Sequence, residues 1–169
     1  MTSSTTIRPL TASDWPQVHD LVVEVAAAGE TYAMDVPRTV AETRGFWSGQ
    51  HLVVAVDGEP GGARVLGTAK MGPNRPAQGS HVGTASFVVA AVARGRGIGR
   101  LLGEYAVEWH RINGFAAIQF NAVVSTNTAA VALWQALGFE TIGVVPDAFR
   151  LPDSSYADLH VMYLTLGDP

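Results

Sequence analysis

The residues best suited to chemistry in this sequence form a short run of arginine and glycine, Arg-Gly-Arg-Gly-Ile-Gly, at positions 94–99. Three glycines allow the backbone to turn tightly and to approach a ligand closely. The run opens an amphipathic stretch with helical spacing, so its N–H groups coincide with a helix start, where they lack partners and the helix dipole is positive. The pattern therefore predicts a site for a phosphate group.

The distribution of basic residues supports a small anion as the ligand. The net charge is −4, and the basic residues comprise ten arginines and a single lysine. Three of the arginines, Arg94, Arg96 and Arg100, lie in or beside the glycine run. Nucleic-acid binding normally leaves a broad basic surface, and this acidic chain with one basic cluster does not have that composition.

Two common nucleotide loops are excluded by the residues themselves. A Walker A loop ends in Gly-Lys-Ser/Thr, and the only lysine, Lys70, lies far from the run. A dinucleotide fingerprint that begins at Gly95 or Gly97 needs glycine where Arg100 or Leu102 stands. Such a fingerprint also follows the first strand of its fold, whereas this run follows the fourth predicted strand.

Composition predicts one cytoplasmic domain over residues 1–169. The chain is 47% hydrophobic, has no cysteine, and contains neither a membrane-length apolar run nor a signal-peptide pattern at its start. Disulfides and thiolate chemistry are therefore excluded. The histidines show no metal-ligand spacing, so we expect no metal, and we expect no membrane or nucleic-acid partner.

Hydrophobic periodicity and turn residues predict an α/β protein with the order β-α-α-β-β-β-α-β-α-β-β. Alternation in the fifth strand predicts one face with Ile118, Phe120 and Ala122 and another with Gln119, Asn121 and Val123. A turn is predicted at 57–62 and a loop at 72–79. The predicted strands are 7–10, 51–56, 65–71, 81–90, 116–124, 139–145 and 159–166, and the predicted helices follow Asp14, span about 37–47, run from 98 to 113 and run from 127 to 138.

Two segments together resemble the GNAT superfamily of acetyl-CoA-dependent N-acetyltransferases. Arg94, Gly97 and Gly99 match its pattern Arg/Gln-x-x-Gly-x-Gly/Ala, and residues 127–139 resemble Asn-x-x-Ala-x-x-Leu-Tyr-x-x-x-Gly-Phe. The resemblance covers nearly the whole chain. It implies a GNAT fold, with a mixed, mostly antiparallel sheet of six to seven strands flanked by about four helices, and acetyl-CoA as co-substrate.

The resemblance also implies particular cofactor contacts. The loop would hold the pyrophosphate, and the main chains of Phe87 and Val89 would pair with the pantetheine arm. Asn127 would contact the cofactor near that arm, and Trp134 would pack beside it. The full implied set is Phe87, Val89, Arg94, Gly95, Arg96, Gly97, Ile98, Gly99, Arg100, Asn127 and Trp134.

Two positions depart from the chemistry that the resemblance implies. The usual general acid is a tyrosine, and Trp134 stands there; its indole N–H does not release a proton near neutral pH. Some relatives place a glutamate base on the fifth strand, where this chain has Asn121, which orients but does not titrate. We expect Asn121 to act in catalysis, with positioning, water or a tyrosine (Tyr32, Tyr105 or Tyr156) replacing the missing groups.

The run 120–127, followed by 133–139, looks like a GNAT subgroup that includes acetyltransferases of proline analogues such as azetidine-2-carboxylate. In those relatives asparagines hold the small substrate. The resemblance implies a small-molecule amine as acceptor, an amino acid or proline analogue, that attacks directly in a ternary complex. The candidate substrate-binding residues are Tyr32, Thr84, Asn121 and Tyr156.

Two alternatives remain open at the level of sequence. The missing tyrosine and glutamate also fit an acyl-CoA-binding sensor with reduced catalysis. A nucleotide-binding module from an unrelated α/β family would use the same glycine loop for ATP or NAD. Relatives in the superfamily often form dimers, so a homodimer is a further expectation.

Overall fold

The structure is a computed structural model that describes residues 5–58 and 62–167. Within these residues seven strands form one mixed sheet flanked by four α-helices, which confirms the predicted α/β order. Residues 59–61 of the predicted turn lie outside the described residues. The strands are β1 (Thr6–Pro9), β2 (His51–Asp57), β3 (Arg64–Pro73), β4 (Val82–Val89), β5 (Ala117–Val124), β6 (Glu140–Arg150) and β7 (Tyr156–Thr165), and the helices are α1 (Trp15–Ala28), α2 (Val40–Phe46), α3 (Ile98–Ile112) and α4 (Thr128–Ala136).

The sheet has one parallel pair of strands, near its centre. Its order is β1-β2-β3-β4-β5-β7-β6, and each neighbouring pair is antiparallel except β4 and β5. These two parallel strands pair only at Val82 with Ala117 and at Gly83 with Ile118. Beyond that point they part, and we call the gap between residues 84–89 and 119–124 the fork. Backbone groups that face the fork have no strand partner across it.

A glycine and a buried histidine fix the point where the fork begins. A Cβ atom on Gly83 would overlap the imidazole ring of His110, which is fully buried under the sheet. The Nδ1 atom of His110 bonds to the carbonyl oxygen of Ala106 at 2.7 Å, and burial lowers the pKa of this histidine, which favours its neutral form. Glycine at position 83 is therefore required by packing.

Helices cover both faces of the sheet. On one face, Gly67 leaves room for Ile98 and Leu102 of α3, whose side chains would lie 3.1 Å from a Cβ atom there. On the other face, the next residue, Thr68, accepts a hydrogen bond from Nε1 of Trp47 at 3.1 Å, just after α2. We call the two faces the α1–α2 side and the α3–α4 side, after the helices that cover them. Each residue of the candidate site is assigned below to one of these faces.

A bulge in β5 corrects the predicted alternation. The register with β7 shifts between Phe120 and Val123, so Val123 is buried and Ala122 is exposed. The prediction that Ala122 shares a face with Ile118 and Phe120 is therefore wrong, and Val123 packs with those two residues instead, because an extra residue reverses the alternation. Asn121 remains exposed beside the fork.

The last two strands are longer than their apolar runs predicted. The sequence placed them at 139–145 and 159–166, but β6 continues to Arg150 and β7 begins at Tyr156. An irregularity between Val145 and Phe149 interrupts their pairing. Because the break interrupts the alternation of buried and exposed residues, periodicity did not predict the second half of the hairpin. No helix within the described residues is both long and apolar enough to cross a lipid bilayer.

Candidate active site

The glycine loop after β4 has the backbone geometry of a ligand cradle. Gly95 and Gly97 adopt φ angles of +76° and +79°, which side-chain-bearing residues rarely take. A Cβ atom at either position would meet no atom within 4 Å, so the loop leaves open space on that side. Ile98, which follows, is buried and anchors the loop to the core.

Helix α3 starts directly from this loop. The first helical hydrogen bond runs from the Leu101 N–H to the Gly97 carbonyl oxygen at 3.0 Å. No side chain of the described residues caps this helix start, so the N–H groups of Ile98, Gly99 and Arg100 remain available. Together with the helix dipole, they form a site for an anion such as a pyrophosphate.

The three arginines around the loop are not equivalent. Arg96 forms an ion pair with Asp57 at 3.1 Å, and Arg100 lies 3.5 Å from Glu104 one helical turn later. Arg94 forms no ion pair within the described residues. Its charge is therefore the one that no carboxylate offsets, a distinction that the sequence alone did not provide.

The backbone of β4 presents alternate residues to the fork. The Ala90 N–H donates to Leu66 of β3 at 2.9 Å, and the Val82 carbonyl accepts from Asn74 at 2.8 Å, so even-numbered residues bond toward β3. The main-chain groups of Phe87 and Val89 consequently point into the fork. The structure thus brings together the two backbone positions that the resemblance singled out.

Tyr32, in the connection between α1 and α2, already uses one of these positions. Its hydroxyl donates to the Phe87 carbonyl oxygen at 2.9 Å and accepts from the Phe87 N–H at 2.9 Å. Burial raises the pKa of Tyr32 to about 12, so the phenol stays protonated near neutral pH and is unsuited to act as a base there. The resemblance implies that the main chains of Phe87 and Val89 pair with the cofactor, and Tyr32 bonds to that of Phe87 only.

The α1–α2 side of β3 and β4 carries a shallow depression of about 250 Å³. Thr84 and Ser86 line it from β4, and Lys70 lines it from β3. The Lys70 ammonium donates to the Phe46 carbonyl oxygen at 2.9 Å and lies 4.8 Å from the Phe46 ring. Burial lowers the pKa of Lys70. The sequence analysis did not assign this lysine to the site.

Three amides cluster beside the fork, and we call Asn74, Gln119 and Asn121 the amide cluster. The Asn121 Nδ2 donates to Asn74 Oδ1 at 2.7 Å, and Gln119 Nε2 donates to Asn121 Oδ1 at 2.8 Å. Asn121 is a candidate from the sequence, whereas Asn74, which precedes it by 47 residues, is not. No local signal joins the two, because the contact depends on how the β3–β4 loop folds toward β5.

Two implied cofactor residues have clear structural roles. Asn127 caps α4, where its side-chain oxygen accepts from the Ala130 N–H at 3.2 Å, and its amide nitrogen forms no hydrogen bond within the described residues. Trp134 is 7% exposed, and its ring centroid lies 4.8 Å from those of Phe87 and Phe120. Their contacts with a cofactor stay predictions.

The remaining candidate tyrosines lie in different surroundings. Tyr156 opens β7 and is 61% exposed. The β6–β7 turn lies beside the end of α1, since a Cβ atom on Gly29 would lie 3.5 Å from Pro152. The Tyr105 hydroxyl bonds instead to Nε2 of His51 at 2.9 Å, so this tyrosine joins α3 to β2. In the described part of the chain no three His, Asp or Glu side chains gather to hold a metal ion.

The chain belongs to the Acetyltransferase (GNAT) family, whose model matches residues 15–139. It is 30% identical over 148 residues to the N-acetyltransferase aca1 of Schizosaccharomyces pombe, covering 79% of this chain and 71% of that protein. A GCN5-related N-acetyltransferase from Kribbella flavida has a similar structure, with a TM-score of 0.89, 48% identity and coverage of 95% and 97% of the two chains.

A further similar structure was solved with a ligand. It is a GNAT superfamily phosphinothricin acetyltransferase from Sinorhizobium meliloti in complex with acetyl-CoA. Its TM-score is 0.85 at 25% identity, with coverage of 96% of this chain and 89% of that chain. The fold is therefore the GNAT fold, as the family resemblance implied.

Proposed function

We propose that this protein transfers the acetyl group of acetyl-CoA to the amine of a small molecule by direct attack in a ternary complex. One observation carries the proposal: an uncapped helix start that suits a pyrophosphate lies directly after a β-strand whose backbone opens into the fork. Family membership and the acetyl-CoA complex of the similar phosphinothricin acetyltransferase support it.

In this proposal different groups of the chain bind different parts of acetyl-CoA. The backbone of residues 95–100 and the Arg94 guanidinium bind the pyrophosphate. The Val89 N–H, which faces the fork, is placed to stabilise the oxyanion that develops at the thioester carbonyl. The Asn127 amide nitrogen contacts the arm between these two points. Trp134 supports the wall from behind rather than transferring a proton.

None of the described residues that this proposal places at the reacting groups is a general base, so the amine has to lose its proton in another way. An amine with a pKa of about 10.4 lies roughly three units above neutral pH, so its deprotonation at pH 7 costs about 4 kcal/mol. Asn121 and Trp134 do not titrate, and the raised pKa of Tyr32 keeps it protonated. We propose that Asn121 positions the amine-bearing substrate, which reacts from its neutral fraction or through water.

The decisive experiment is thiol release from acetyl-CoA across a panel of amines. The panel holds amino acids, proline analogues, polyamines and peptides, and the expected result is amine-dependent release that is greatest for small amino acids. Asn121→Ala is expected to raise the acceptor KM and to leave acetyl-CoA binding nearly intact. Tight acetyl-CoA binding with no amine-dependent release would instead establish the sensor, and ATP or NAD binding that coenzyme A does not displace would establish the nucleotide-binding module.

We further propose that the protein works in the cytoplasm as a homodimer that pairs through β6. This strand is at the edge of the sheet, and it exposes the apolar side chains of Ile142, Val144 and Val145 at 59%, 51% and 47%. An exposed apolar edge strand is a template for pairing with another chain. Light scattering should give a dimer mass that Val144→Lys reduces to the monomer; a wild-type monomer at micromolar concentration would refute the proposal.

A further inference from the structure

Tyr32 occupies a defined point along the fork. Its hydroxyl accepts a hydrogen bond from the Phe87 N–H and donates one to the Phe87 carbonyl oxygen, both at 2.9 Å. These two backbone groups face the fork, so the oxygen of the phenol lies inside it. Burial raises the pKa of Tyr32 to about 12, so the phenol stays protonated and keeps both bonds near neutral pH.

The ring of Tyr32 is supported by a series of contacts that leads into the sheet. It meets the Trp47 ring edge to face, with a centroid distance of 6.5 Å and planes 82° apart. Trp47 is 1% exposed, and its Nε1 donates to the Thr68 hydroxyl at 3.1 Å. That hydroxyl in turn donates to the Val53 carbonyl oxygen at 2.8 Å. The phenol is therefore anchored to β2 and β3 through Trp47, in addition to its bonds with β4.

The direction of the donor follows from the order of the elements. The glycine loop comes after β4, so an arm that leaves the loop enters the fork at Val89 and runs toward Phe87. In the proposed transfer the thioester oxygen lies at the Val89 N–H. Because the thioester carbon is planar, its sulfur then points back toward the loop and its acyl chain points forward. The acyl chain is therefore directed at the hydroxyl of Tyr32.

The space between the thioester oxygen and this hydroxyl is short. Residues two apart in a strand, such as Phe87 and Val89, are separated by about 6.6 Å, and their N–H groups point the same way. Oxygen atoms bonded to these two N–H groups therefore also stand about 6.6 Å apart. Atoms in contact lie about 3.5–4.0 Å from each other, so the methyl carbon of an acetyl group fits between the two oxygens and a propyl chain does not.

We propose that Tyr32 determines the length of the acyl chain that the protein accepts, because its hydroxyl closes the fork just beyond an acetyl group and excludes longer donors such as butyryl-CoA. In the wild-type protein Tyr32, and not the donor, holds the Phe87 backbone. Trp47 is the positioning residue, since it supports the Tyr32 ring at this point. The inference rests on the proposed acetyl transfer and gives Tyr32 a role on the donor side of the site.

The test measures the kcat/KM of acetyl-, propionyl- and butyryl-CoA with one amine that the thiol-release panel identifies. The wild-type protein should use butyryl-CoA at least about 10-fold less well than acetyl-CoA, as expected when carbons are forced into a filled space. Tyr32→Phe removes the oxygen and opens the Phe87 backbone to the donor, so it should raise the propionyl-to-acetyl ratio about fivefold. Tyr32→Ala also removes the ring and should raise the butyryl-to-acetyl ratio about 10-fold.

The ratios between donors separate a specificity role from a structural one. A substitution that only loosens the protein lowers the kcat/KM of all three donors by a similar factor and leaves their ratios unchanged. Trp47→Phe keeps an aromatic ring but loses the bond to Thr68, so it should relax the ratios less than Tyr32→Ala. Tyr105→Phe is the matched control, because it removes a phenol hydroxyl that bonds to His51, and it should leave every ratio unchanged. Tyr32→Phe keeps the ring, so the test does not depend on the folding of Tyr32→Ala.

Equal kcat/KM values for acetyl- and butyryl-CoA in the wild type, or ratios that Tyr32→Phe does not alter, would overturn the inference and leave acetyl transfer intact. If no amine supports thiol release, the proposed function fails first, and calorimetry of the three thioesters then decides the inference alone. Weaker binding of butyryl-CoA than of acetyl-CoA that Tyr32→Phe relieves supports it, and equal or absent binding of the two refutes it.

Discussion

The loop at the start of α3 and the amide cluster are built in different ways. The loop presents consecutive backbone N–H groups, and its geometry depends on glycines at positive φ, such as Gly97. The cluster presents side-chain amides, and its central pair, Asn74 and Asn121, comes from segments 47 residues apart. A backbone site is encoded in a few adjacent residues, whereas a side-chain site depends on the packing of distant segments. The geometry of the loop can therefore be predicted from the sequence, and the contact that joins Asn74 to Asn121 cannot.

The largest expected effect is on the donor side. Gly97→Val forces a β-branched residue to a φ of +79°, and the strain of about 1–3 kcal/mol corresponds to about 5- to 150-fold weaker binding of acetyl-CoA by calorimetry. Gly99→Ala is the control, because its Cβ would lie an ordinary 3.5 Å from Leu133. Unchanged binding by a folded Gly97→Val protein would remove the loop from the donor site.

Tyr32→Phe tests whether the Phe87 backbone belongs to the donor side. The change leaves the Phe87 N–H and C=O without their partner, so the ligand-free protein should lose about 1–3 kcal/mol of stability and several degrees in Tm. Acetyl-CoA that pairs with Phe87 would restore part of this loss, and the Tm increase on binding should exceed that of the wild type. Tyr105→Phe, which loses only its bond to His51, is the control. An equal Tm increase on acetyl-CoA binding in both variants would mean that the Phe87 backbone pairs with Tyr32 and not with the cofactor.

The arginines around the loop should contribute unequally. Arg94→Gln is expected to raise the KM of acetyl-CoA about threefold at low ionic strength, and the effect should shrink with added salt because exposed charges are screened. Arg96→Gln should have a smaller effect, because Asp57 already offsets that charge at 3.1 Å. The same KM change in both variants would mean that the ion pair opens when the cofactor binds.

The smallest effect concerns alkaline pH. Burial raises the pKa of Tyr32 to about 12 from an ordinary value of 10.0, so the stability that the buried neutral phenol contributes is fully present below pH 10 and is lost as the pH rises through 12. Absorbance at 295 nm should show one phenol that titrates near pH 12 and disappears in Tyr32→Phe. A phenol that titrates near 10 in that position would place Tyr32 away from Phe87.

Much of the fold follows from local sequence, but part of the site does not. Turn residues and periodicity predicted the order of the elements, and the glycines of the loop predicted the start of α3, since both depend on neighbouring residues. The bulge at Asn121–Ala122, the ion pair of Arg96 with Asp57 and the contact of Tyr32 with Phe87 depend on long-range packing. Periodicity carries no information on such contacts, which is why Asn74 and Lys70 were missed.

The hydroxyl of Tyr32 also affects how many unpaired backbone groups the ligand-free protein exposes at the fork. A strand that parts from its neighbour exposes unpaired N–H and C=O groups, and such a row can template the addition of a foreign strand. One phenol that donates to and accepts from Phe87 removes both of those groups from the row. The fork therefore presents fewer unpaired backbone groups to a foreign strand than its width would suggest.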